Sequence, residues 1–112
     1  MDVIKIEEIK SLIVELNGLN VLIDKDVADL YQVETKRINE AVKNNPDKFP
    51  SDYMFETTDR EFEYLRSKFS TTKFSKTRTN PKVFTEKGLY MLATILKTDL
   101  THQGTKIAFQ GT

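Results

Sequence analysis

Residues 24–46, DKDVADLYQVETKRINEAVKNNP, read as two short helices joined by a tight turn, and the rest of the chain is organised around them. Asp24 is expected to cap the first helix, because its carboxylate can accept the free N–H groups of the first turn, and Asp26 adds favourable charge there. Val27, Leu30 and Tyr31 fall at i, i+3 and i+4, one apolar stripe. Gln32-Val33-Glu34 breaks the period, with Val33 as an apolar plug in the turn. Thr35 or Glu34 then caps a second helix, in which Ile38, Ala41 and Val42 repeat the stripe. Asn44-Asn45-Pro46 ends it, since proline cannot continue a helix and asparagine tolerates a left-handed exit.

This is the sequence form of a helix-turn-helix, with small Ala28 where the two helices would cross closely. At 100° per residue, the core stripe of the second helix leaves Lys36, Glu40 and Lys43 pointing the opposite way, flanked by Arg37, Asn39 and Asn44. Arginine, lysine and asparagine read base edges or grip phosphate when a helix enters the major groove. The same residue types also solubilise any surface helix, so the stretch alone leaves a DNA reader and a plain amphipathic pair equally open.

With 112 residues the chain is expected to form one domain, with Leu30, Ile38, Phe62, Leu89 and Leu92 at the centre of a single core. It has no cysteine, which removes disulfides and thiolate metal sites. No apolar run approaches a membrane span and the start carries no secretory signal, so the expectation is a cytoplasmic protein with no membrane partner. Formal net charge is zero, but the charges are segregated. The first third is acidic, whereas no acid occurs from residue 64 to residue 85, where Arg66, Lys68, Lys73, Lys76, Arg78 and Lys82 fall. Such a chain can present separate acidic and basic faces, so its neutral sum does not argue against a polyanionic partner.

In chain order, Asn17-Gly18 is a favoured two-residue turn between residues 12–16 and 19–23, which read as a β-hairpin. Ile9, Leu12, Ile13 and Leu16 also fit helical spacing, so a helix competes there. Tyr53-Met54-Phe55-Glu56 reads as a strand, and Thr58-Asp59-Arg60-Glu61 has capping-box spacing for a helix running to about Phe69. Residues 70–81 form a polar, basic loop leading into a strand at Lys82-Val83-Phe84. Thr85 caps a final helix that is apolar almost all round and therefore buried; Gly88 inside it marks a close backbone approach. The expected architecture is a small α+β domain over residues 1–98: hairpin, helix-turn-helix, a further helix, basic loop, strand and buried C-terminal helix. Residues 99–112 are read as a flexible tail.

The succession DLYQVETKRINEAVKNN, FPSDYMF and VFTEKGLYML resembles the ORF-6N domain over roughly residues 7–97. That family occurs at the N-termini of phage and bacterial mobile-element proteins and is related to the KilA-N and BRO-N domains. The resemblance implies a DNA-binding module of phage regulation, in some members part of antirepressors. Its DNA-facing helix would here carry Thr35, Lys36, Arg37, Asn39, Glu40, Lys43 and Asn44. Gln32 departs from the glycine common in that turn, though glutamine is acceptable there if φ stays negative. Family members commonly continue into a second, C-terminal part, so the chain looks like the DNA-binding half alone, a truncated gene or an expressed fragment.

Within the basic loop, Lys73, Lys76 and Arg78 are spaced by serine and threonine, which suits phosphates and a wing beside the helix rather than base readout. No enzyme is expected. His102 stands alone in the tail, no Gly-x-Ser-x-Gly turn or phosphate-binding glycine loop occurs, and no cofactor or metal is implied. Asp59, Glu61 and Glu63 have the composition of a nuclease metal site, but their simpler role is the acidic first turn of a helix. Phe74, between Lys73 and Lys76, could stack on single-stranded bases, with packing onto the core the stronger reading. Double-stranded DNA is the expected partner. The alternative is a protein-interaction module that binds a repressor protein through the acidic third. The residues set no oligomeric state.

Overall fold

Asn17 and Gly18 take positive φ, 54° and 77°, and so turn β1 (Val14–Leu16) back onto β2 (Leu19–Ile23). The register pairs Val14 with Val21, Glu15 with Asn20 and Leu16 with Leu19, the two-residue hairpin expected of Asn-Gly. The computed structural model describes residues 6–69, 71–74 and 79–96. The helical spacing before the hairpin is also used: α1 (Ile6–Leu12) carries buried Ile9, and the strand begins only at Val14. There the burial pattern changes to alternation, with Val14 and Leu16 inside and Glu15 outside.

Two further strands, β3 (Met54–Glu56) and β4 (Lys82–Phe84), complete an antiparallel sheet in the order β1-β2-β4-β3. The pairing sets Leu22 opposite Phe84 and Ile23 opposite Val83. Because neighbouring side chains point to opposite faces, those strands build two cores. On one face Leu22 and Phe84 pack with α2 (Asp24–Tyr31), α3 (Thr35–Asn44) and α5 (Glu86–Leu96). On the other, Val21, Ile23 and Val83 pack with Phe62 and Leu65 of α4 (Asp59–Lys68) and with Phe74. The single core expected from the sequence is thus divided by the sheet: Ile38, Leu89 and Leu92 lie on one side and Phe62 on the other. Burying each such side chain contributes about 1.5–3 kcal/mol.

The helix ends correct three expectations. The residue before α2 is Ile23, and Asp24 lies inside the first turn without capping it; its carboxylate instead accepts the backbone N–H of Lys82 at 3.4 Å. Gln32 has φ 60°, not a negative value. The N–H groups of Gln32 and Val33 return to the carbonyls of Asp29 and Ala28 at 3.1 and 3.0 Å, the paired closure of a left-handed helix exit. Val33 then packs against the first core, as a plug should. At the end of α3, Asn45 exits with φ −135° rather than left-handed, and its Nδ2 donates to the Ala41 carbonyl at 2.9 Å.

Thr58 and Glu61 form the full capping box of α4. Along α5, Gly88, Leu89, Leu92 and Ala93 are buried, whereas Tyr90, Met91, Ile95 and Leu96 are half-buried and Thr94 is exposed; the helix is covered on one face, not all round. A Cβ on Gly88 would stand 2.0 Å from the Tyr53 carbonyl oxygen, which is the close approach its position indicated. Among the described residues, no helix is long and apolar enough to cross a membrane. The expected tail at 99–112 and its His102 lie outside the described residues.

Candidate nucleic-acid interface

The α2–α3 pair packs as one unit against α5. Ala28 is buried in the core it shares with Ile38 and Ala41 of α3, and the Tyr31 hydroxyl donates to the Leu89 carbonyl of α5 at 2.6 Å. Burial, with a smaller contribution from Tyr90, holds the Tyr31 hydroxyl well above its ordinary pKa, so it remains a donor. Ile38 and Ala41 face inward and are buried; Lys36, Arg37, Glu40, Lys43 and Asn44 are exposed on the outer side of α3. Thr35, at the first position of the helix, is half-buried. Val33, Glu34, Lys36, Arg37 and Glu40 line a shallow depression along this surface. Among the described residues, none of Lys36, Arg37 and Lys43 is in an ion pair.

Asn39 stands apart from its neighbours. It is half-buried, and its Oδ1 is enclosed without a hydrogen-bond partner. Its helical angle explains this: it lies beside the Val42 edge of the core stripe, so its amide is drawn toward the protein. Beyond α3, the short 3₁₀ turn Pro46–Lys48 is anchored by buried Phe49, which meets Phe84 edge-on at 6.2 Å between centroids. Lys48 in that turn is exposed, and the turn as a whole packs against α3. The signal for it in the sequence is its place two residues after Pro46, the proline that stops α3.

The basic stretch is more divided than its composition suggests. Lys73 Nζ pairs with both carboxylate oxygens of Asp26, its backbone carbonyl accepts from Lys25 Nζ at 2.8 Å, and its ammonium lies 4.3 Å from the centre of the Phe69 ring. That charge is neutralised within the fold by Asp26. Lys76 and Arg78 lie outside the described residues. Arg66 sits over the Phe62 ring at 4.2 Å, on α4 and therefore across the sheet from α3. Phe74 is buried, edge-on to Phe62 and Phe69, and offers no ring for a base.

Of the acids of α4, Glu61 serves its cap. Glu61 Oε1 accepts the Thr58 N–H at 2.8 Å and Oε2 accepts from Asn17 Nδ2 at 2.6 Å; the Thr58 bond, then the Asn17 bond, holds this carboxyl below its ordinary pKa. Asp59 Oδ1 accepts from Asn80 Nδ2 at 2.9 Å. Among the described residues, no three His, Asp or Glu side chains converge as metal ligands would. At the start of α2, burial pushes the carboxyls of Asp24 and Asp26 upward, against the opposing pull of the Lys82 N–H on the first and of Lys73 on the second.

Against known proteins, the family model of the ORF6N domain matches residues 11–95. Searches of curated proteins and of solved structures returned no match.

Proposed function

The chain belongs to the ORF6N domain family, which points to a phage-type regulatory module and is not a known enzyme family, and on that premise we propose that it binds double-stranded DNA without catalysis. In this reading α2 and α3 act as a helix-turn-helix, and α3 enters the major groove. The observation that carries it is the outer face of α3. Lys36, Arg37 and Lys43 stand exposed and without ion pairs among the described residues, on a helix that two neighbours hold in place. Arg37 and Asn44 supply directional donors for base edges, and Lys36, Lys43 and Lys48 supply charge for phosphates. The half-buried Asn39 and Thr35 act from the flank. A cytoplasmic location goes with this reading.

Titration of fluorescent duplex with the chain over a series of salt concentrations tests it. Affinity should fall linearly in log–log form as salt rises, from counterion release. Absence of binding even at low salt would overturn the proposal and favour a protein partner such as a repressor. That alternative draws on the acidic first third, two of whose acids, Asp24 and Asp26, are buried and so withdrawn from any docking face.

A further inference from the structure

Lys36, Glu40 and Lys43 form one line along α3 at i, i+4 and i+7, opposite buried Ile38 and Ala41. All three are exposed. Lys36, Arg37 and Lys43 are each three or four positions from Glu40, where helical ion pairs form, yet among the described residues no ion pair or hydrogen bond engages its carboxylate. The outward line therefore alternates cation, free acceptor, cation.

A helix lying in the major groove carries the face opposite its own core deepest, to the base edges. A carboxylate at the centre of that line is repelled by the duplex unless a base donates to it. An ionised carboxylate can only accept. In the major groove the available donors are the amino groups of cytosine and adenine; guanine offers two acceptors, and thymine an acceptor and a methyl group. Adenine places an N7 acceptor of its own beside its amino group, where it repels a carboxylate oxygen, and cytosine carries no acceptor on its own major-groove edge. Resting on the duplex-binding reading above, we infer that Glu40 is a specificity-determining residue that accepts a hydrogen bond from the N4 amino group of a cytosine. Lys36 and Lys43, one turn to either side, supply charge for the phosphates that flank that base.

The test is selection of bound sequences from a random duplex pool with the parent chain and with Glu40→Gln, followed by titration. The parent should select cytosine at one position. In the variant that position should shift toward adenine, because a glutamine amide both accepts and donates and matches the N6/N7 pair. Affinity for the parent's best site should drop about ten-fold, the scale of one lost base contact. Affinity for random duplex should rise instead, because a negative charge has left the interface. Identical preferences in parent and variant, or equal losses on selected and random duplex, would overturn the role of Glu40 while leaving duplex binding intact. A parent that binds no duplex would remove both readings.

Discussion

Lys73 Nζ lies 2.8 and 2.9 Å from the two carboxylate oxygens of Asp26, joining the 3₁₀ turn Thr71–Phe74 to the first turn of α2. Phe74 enters the second core beside it, so this segment is held by an ion pair on one side and an aromatic anchor on the other. The side chains are 8% exposed for Asp26 and 19% for Lys73, which leaves little water to take over if either partner is removed.

Lys73→Ala should therefore destabilise the domain by about 3 kcal/mol, because it strands a buried carboxylate. Urea unfolding of parent and variant measures this. A change near zero would show that Asp26 is solvated well enough to stand alone.

Asp24 should make stability depend on pH in a defined direction. Burial raises its carboxyl above the ordinary 3.8, so the folded state holds the proton more tightly than the unfolded chain. The ionised form therefore costs stability above the folded value, and the cost disappears as pH falls to 3.8 and below, where both states are protonated. The stability of Asp24→Asn relative to the parent should grow as pH rises from 3.8 through the raised folded value, then level off. A relative stability that shrinks over the same window would mean that the Lys82 N–H outweighs burial.

Gln32→Gly should stabilise the fold. The residue has φ 60°, a conformation that costs a side-chain-bearing residue about 1–2 kcal/mol. Part of that gain is offset by the greater freedom of glycine in the unfolded chain, leaving about 0.5–1 kcal/mol. Thermal unfolding should show a rise in midpoint; a fall would indicate that the Gln32 side chain contributes contacts of its own.

Gly88→Ala reverses the usual ranking of these residues. In an open helix alanine is favoured by about 1 kcal/mol. Here its Cβ would meet the Tyr53 backbone oxygen at 2.0 Å and carbon at 2.9 Å, atoms that cannot swing aside as a flexible side chain would. Net destabilisation of about 2 kcal/mol or more is expected in denaturant unfolding. An unchanged midpoint would mean that β3 shifts at little cost.

Arg37 and Lys73 should part company in DNA binding. Arg37→Ala should cost about 1–3 kcal/mol on the preferred site and much less on random duplex. Lys73→Ala, measured where the variant is folded, should leave the salt slope unchanged, since Asp26 already neutralises that ammonium. A slope flattened by about one unit in Lys73→Ala would instead return this residue to the phosphate contacts.

The parts of the fold legible in the sequence are local. The Asn17-Gly18 turn, the capping box of Thr58 and Glu61, the stripes of α2 and α3 and the ORF6N resemblance all rest on short-range spacing or ordered motifs. A helix or turn closes its hydrogen bonds within about four positions, so these residues carry their own instructions. The outer row of α3 was legible for the same reason: Lys36, Glu40 and Lys43 follow from the position of Ile38 and a fixed angle per residue.

Tertiary structure decided which distant groups meet. Lys73 is 47 residues from Asp26, and the Tyr31 hydroxyl is 58 from the carbonyl of Leu89. Nothing in the period around Lys73 distinguishes a cation for phosphate from one that neutralises a buried acid, because that depends on whether Asp26 is denied water. Insertion of β4 between β2 and β3 set Phe62 across the sheet from Leu92 and so made two cores of one apolar pattern. The sign of φ at Gln32 was likewise imposed from outside the residue. The left-handed exit at Gln32 is what turns Val33 to pack against the first core.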